Sequence, residues 1–180
     1  MEYYSDKLER FHTQIKINST TGSEVVSTTN AKDYMRVDTS ADDTLIGQMI
    51  VQARVWIENY LSRDIVSKTR SLYLATVNER FSLPFSPIAS VQTITIDGTT
   101  TTNFQTYGLN ELIVELEDLP SENVIVNYTT TGFNNDLIKQ AMLQLVSTYY
   151  DYRTDFVEGN LNMIPTNVRN ILSSEKSMFI

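Results

Sequence analysis

The residues best suited to chemistry in this chain are carboxylates. Asp38, Asp42 and Asp43 fall within "YMRVDTSADDTLIGQMI", residues 34–50, and Glu111, Glu115, Glu117 and Asp118 fall within "ELIVELEDLPSE". Grouped carboxylates can hold a divalent cation or divide acid and base roles at a glycosidic bond. A calcium loop, however, needs regularly spaced ligands around a central glycine, and residues 38–50 do not supply them. The simpler reading of the first group is a helix start. Ser40 is placed as an N-cap with Asp43 at the third helical position, a variant of the capping box. Asp42 and Asp43 then sit at the positive end of the helix dipole, worth about 0.3–1 kcal/mol each. The second group lies on a strand edge, where acids face solvent or block edge pairing.

Other catalytic sets are absent from the sequence. There is no cysteine, which removes disulfides, thiolate zinc sites and thiol nucleophiles together. The one histidine, His12, stands in a polar N-terminal stretch without a Gly-x-Ser-x-Gly elbow, and reads as an ordinary strand or surface residue. No Gly-x-Gly-x-x-Gly, Gly-Lys-Ser/Thr phosphate loop, His-Glu-x-x-His or Cys/His spacing occurs. The expectation is a protein without catalytic residues, cofactor or bound metal.

Bulk properties narrow the class further. The 180 residues suffice for one domain with a real core and an inserted subdomain. With 22 acidic against 14 basic side chains the net charge is −8, which disfavours gripping DNA through its phosphates. Ten Tyr and seven Phe could stack on bases, but too few of them alternate with basic residues. The start of the chain lacks a signal-peptide pattern, and no apolar run is long enough to span a membrane. A soluble protein made in a cytoplasm is expected.

The carboxylates must be positioned by helices and strands that the patterning predicts. A polar arm, 1–28, begins with the alternating "FHTQIKI", turns at "NSTTGSE" and returns through "VVSTT" as a β-hairpin. A short helix spans roughly 30–37, capped by Asn30 or Thr29. A long helix runs over 41–61, with Leu45, Ile46, Met49, Ile50, Ala53, Trp56, Ile57, Tyr60 and Leu61 on one face. Trp56 is placed at the centre of that stripe, so that Trp56→Ala would cost roughly 3–5 kcal/mol.

Residues 67–131 change character. Five or six antiparallel strands are predicted there, with a hairpin at Asp97-Gly98 and a bend or edge at Pro84 and Pro87. Helical periodicity returns after Asn134, Asn135 and Asp136, carried by Leu137, Ile138, Ala141, Met142, Leu145, Tyr149, Tyr152 and Phe156. Pro165 fits the first turn of a last short helix whose inner face is Val168, Ile171 and Leu172.

The fold class expected is therefore α+β. It is a helical bundle of two long antiparallel helices plus short helices, with an inserted small antiparallel β-subdomain. The divisions are the arm 1–28, a helical core formed by 29–66 and 132–173, the β-insert 67–131 and a C-terminal tail 174–180.

Two apolar pairs fall off the core stripes. Val51 and Val55 lie i, i+4 on the outer side of the first long helix, and Leu143 and Tyr150 on the outer side of the second. They are either isolated exposed side chains or a seam for a neighbouring subunit. Their recurrence on two helices favours the seam. The tail, Ser174, Glu175, Lys176, Ser177, Met178, Phe179 and Ile180, ends apolar and is either unstructured or docked on a partner.

The ordered series of segments resembles the head–tail connector, or adaptor, family of tailed bacteriophages. The opening "NAKDYMRVDTSADDTLIGQMIVQARVWIENYLSRDI" matches that family's pattern at Ala31, Lys32, Arg36, Val37, Asp38, Asp42, Asp43, Leu45, Ile46, Ala53, Tyr60, Leu61 and Arg63. "LPFSPIASV", "VIVNYTTTGF", "IKQAMLQLVSTYYDYR" and "IPTNVRNIL" follow in the expected order. The likeness covers about residues 25–173, in the branch with a β-insert between the long helices. Met35 stands where the family favours Leu.

That resemblance implies a structural, non-enzymatic virion protein at the neck, made in the host bacterial cytoplasm. It implies self-association into a ring, usually of twelve subunits. Its partners would be the portal protein, a stopper or tail-completion protein, and double-stranded DNA crossing the lumen without sequence-specific binding, with no membrane contact. In several members the C-terminal segment docks on the portal, the role the tail 174–180 would then have. The alternative is another oligomeric neck or tail component, such as a stopper or tail terminator.

Overall fold

The computed structural model describes residues 13–152 and 166–176. His12, Phe11, Phe156, the loop 158–163, Pro165 and the tail residues 177–180 lie outside the described residues, and the expectations attached to them stop there. The described chain divides into two compact units: 13–22 with 66–132, and 23–65 with 133–152 and 166–176.

The first unit is built of strands. They are β1 (Thr13–Thr20), β2 (Lys68–Val77), β3 (Phe81–Ser82), β4 (Ile88–Ile96), β5 (Thr99–Thr101), β6 (Phe104–Tyr107), β7 (Ile113–Leu116) and β8 (Ser121–Thr130). They form an antiparallel five-stranded sheet, β1-β2-β8-β4-β5, and an antiparallel three-stranded sheet, β3-β7-β6. Register explains the core. Ile94, Val126 and Leu72 are cross-strand partners and so point to one face, as do Ile96, Val124 and Leu74. Leu83, Val114 and Leu116 pack against that face. The opposite face is polar, and side chains link across it: Asn18 donates to Ser71 at 2.7 Å, and Asn127 donates to Thr93 at 2.9 Å. The Asp97-Gly98 turn has positive φ at both residues, 48° and 79°, which suits the right-handed twist of a two-residue hairpin.

The second unit is helical: α1 (Thr28–Met35), α2 (Asp43–Leu61), α3 (Asp136–Asp151) and α4 (Thr166–Ser173). Ser27 caps α1 in a reciprocal box with Asn30, and Asn135 caps α3 by accepting from the Ile138 N–H at 3.0 Å. α2 packs on α3, α1 on both, and α4 on α3. Ile46, Ile57, Leu61, Ile138, Met142 and Leu145 are fully enclosed.

Several expectations are corrected. The protein is not a two-helix bundle carrying a small insert. It is a mixed α/β chain with four helices and two antiparallel sheets among the described residues. The physical reason is that the strand-rich segment recruits β1 from the arm and encloses a core of its own, from Leu72 to Tyr128. The arm does not fold back as a hairpin. "VVSTT" instead buries Val26, caps α1 with Ser27 and opens its first turn. The stripe of α2 is rotated from the expected one. Arg54 and Glu58 are buried on one flank, while Leu45, Trp56 and Tyr60 are only half-buried on the other. Trp56 stacks on Tyr60 at 5.2 Å rather than filling the centre.

Candidate functional site

Two of the carboxylates flagged in the sequence tie helices together. Asp43 pairs with Lys32 of α1 at 2.8 Å, and the Tyr150 hydroxyl of α3 donates to Asp42 at 2.7 Å. The start of α2 is thereby tied to two other helices. Asp42, not Ser40, is the N-cap residue and makes no side-chain cap bond. The capping box does not form, since the helix begins at Asp43 and that residue takes the first helical position rather than the third. Ser40 contributes only its carbonyl, which accepts from the Asp43 N–H at 3.3 Å. Asp38 is exposed. Among the described residues no group of three or more His, Cys, Asp or Glu is placed to hold a metal ion.

The second acidic stretch spreads along β7 and the turn after it. Glu111, Glu117 and Asp118 are exposed. Glu115 lies beside Tyr107, and its hydrogen bond and negative charge, with some desolvation, raise the Tyr107 pKa above the usual tyrosine value. No arrangement of an acid facing a base results.

Periodicity missed a buried ion cluster. Arg54 Nε bonds both Glu24 oxygens at 2.9 Å, and its Nη1 meets Glu58 Oε2 at 3.0 Å. Glu58 Oε1 accepts from the Ile65 N–H at 3.1 Å. The i, i+4 spacing of Arg54 and Glu58 was a legible signal. Glu24, thirty residues upstream, carried none. The cluster takes up the last charges of α2, whose only charged residues are Asp43, Arg54 and Glu58.

The outer face of α2 is consequently uncharged. Thr44, Gln48, Val51, Gln52, Val55 and Asn59 are all exposed, with Val51 at 41% and Val55 at 43%. Beside it Leu45, Gln48, Met49 and Gln52 of α2 form a shallow groove with Tyr149 of α3 and Tyr152, again without charge. Burial in this setting raises the Tyr149 pKa. On α3 no charge occurs between Lys139 and Asp151. Leu143 and Tyr150 are half-buried, so the second apolar pair is less open than the first, and Tyr150 is used internally. At the C-terminal end Asn135 donates to Glu175 at 3.2 Å, and the Lys176 ammonium sits 5.4 Å from the Tyr60 ring centroid. Ser174 is exposed.

Comparison with known proteins adds two findings. Residues 26–107 match the family model described as phage gp6-like head-tail connector protein, in agreement with the resemblance read from the sequence. Three solved structures share the fold. A chain in the neck of an empty gene transfer agent particle, computed with C6 symmetry, aligns with TM-score 0.74 at 17% identity, covering 93% of this chain and 97% of that one. A chain in the virion of a native gene transfer agent particle aligns with TM-score 0.75 at 17% identity and the same coverage. A chain in the neck of the native particle, computed with C12 symmetry, aligns with TM-score 0.60 at 16% identity, covering 90% and 97%. No curated protein matches the chain.

Proposed function

We propose that this chain is a structural subunit of a virion neck: a head–tail adaptor that forms a ring with its own copies, docks on the portal and joins capsid to tail. The family match over 26–107 and the fold shared with neck chains support the reading. Twelve copies is the stoichiometry the reading carries, in keeping with the C12 symmetry of one of those necks. The observation that carries it is the outer face of α2. In a chain of net charge −8, the exposed face of a 19-residue helix carries no charge between Thr44 and Asn59 and presents Val51 and Val55 instead. Depletion of charge is what marks the centre of a protein–protein contact. The reading includes Leu143 and Tyr150 of α3 in the seam, with Tyr150 held by its hydrogen bond to Asp42.

The test is the double substitution Val51→Asp with Val55→Asp. Both sites are exposed, so the melting temperature should stay close to that of the unmodified chain. Incorporation into particle necks should be lost. Normal incorporation would remove the seam.

The portal contact is assigned to the C-terminal tail. Co-purification with the portal should weaken on deletion of 177–180, a cut that spares Glu175 and Lys176 and their contacts. Unchanged co-purification would reassign the contact, and no binding by the intact chain would favour a stopper or another neck component over an adaptor. Double-stranded DNA would cross the lumen of such a ring without being gripped, since an acidic wall repels phosphates.

A further inference from the structure

The five-stranded sheet ends in two edges of different kinds, and neither has a strand beside it among the described residues. At one end β1 pairs with β2 along its inner side only. At the other end β5 covers β4 only at Ile94, Thr95 and Ile96, and the Ile88 N–H is taken by the Asn110 carbonyl. Residues 89–93 of β4 are left without an outer strand.

Proteins blunt long edges with proline, with charge or by covering them, because unpaired N–H and C=O groups recruit further strands. β1 has eight residues, all exposed, with no proline and one charge, Lys16. Its apolar side chains are misplaced for an edge facing water. Ile15 pairs with Leu72 and Ile17 with Arg70, so both project on the face that carries the sheet's core, at 42% and 48% exposure. The rows Ile94–Val126–Leu72–Ile15 and Val91–Tyr128–Arg70–Ile17 therefore run out to the edge and stop there uncovered.

We propose that the outer edge of β1 is a strand-addition surface for a second copy of this chain, seated along 89–93 of the neighbour's β4 beside β5. The two edges are complementary. Ile15 and Ile17 lie on the same face as half-buried Val91, so the added strand extends both rows. Lys16 lies on the opposite face, and β4 and β5 carry no charge, so nothing repels it. Within one copy β1 runs opposite to β4, so a neighbour in the same orientation adds an antiparallel strand. Among the described residues each copy also has one edge of each kind without a neighbouring strand, as a contact that repeats head to tail requires. This inference rests on the neck-ring reading, within which the repeat closes.

The chain has no cysteine, which makes the test clean. Ile17→Cys and Gln92→Cys are made singly and together in the full chain, and assembled particles are treated with a short bis-maleimide. The double variant should give a ladder of covalent multimers, and neither single variant should cross-link. Dimers from Ile17→Cys alone would mean β1 pairs with β1, and would overturn the proposal. Incorporated chains that give no ladder would overturn it too, while leaving the neck reading intact. Absence of the unmodified chain from necks would remove that reading first, and this one with it.

Discussion

At the scale of single residues, a few ionisable groups hold the helices together. Arg54 is the clearest case, since it lies between Glu24 and Glu58 with Glu58 almost wholly enclosed. Removing one member of a buried pair leaves the other as an uncompensated charge, which costs about 3–5 kcal/mol. Arg54→Ala should destabilise the protein by that order in urea denaturation. Glu24→Gln should cost far less, because Glu24 is a third exposed and solvent screens its share. Equal losses from the two would refute the assignment. Trp56 shows the opposite error. Helical periodicity put it at the centre of the stripe, but a half-buried ring stacked on Tyr60 contributes about 0.5–1.5 kcal/mol through stacking. Ile57, with no exposed surface, should cost roughly 2–5 kcal/mol on Ile57→Ala. Trp56→Ala should melt above Ile57→Ala, and the reverse order would return Trp56 to the core.

At the scale of elements, periodicity was sufficient where burial follows hydrophobicity. Both long helices, the Asp97-Gly98 turn and strands β2, β4, β7 and β8 were legible because apolar residues recur at helical or alternating spacing. The pattern failed where polar groups are the buried ones. Arg54 and Glu58 lie inside, so a stripe drawn through apolar residues alone was turned toward Trp56. It gave strands but not their partners where strands are polar. β1 and β5 are rich in Thr, Ser, Asn and Gln, and their place is fixed by backbone pairing to β2 and β4, which no local pattern reports. That is why the strand-rich segment looked like a minor insert. The candidate site was legible in part. Val51 and Val55 stood out as apolar residues off the stripe, while the uncharged character of the whole face depends on knowing that Asp43, Arg54 and Glu58 are engaged internally. Val51→Asp with Val55→Asp therefore tests a property of the element, and should leave folding intact while abolishing assembly.

At the scale of the molecule, charge and contact surface are separated, and this sets how assembly should respond to salt. Each copy brings a formal charge of −8, yet the surfaces proposed for self-contact, the α2 face and the β1 edge, carry only Lys16 between them. Bringing like-charged copies together is opposed by a repulsion that ions screen, and the screening length falls from about 30 Å at 0.01 M salt to about 8 Å at 0.15 M. The attraction comes from apolar burial and backbone pairing, which salt of this strength leaves in place. Self-association should therefore strengthen as salt rises through this range, the reverse of an interface held by ion pairs, which weakens. Sedimentation velocity at fixed chain concentration, with the chain alone and with portal added, reads the effect directly. Association that fell with added salt would mean that charged groups make the contact, and would move the interface away from both surfaces at once.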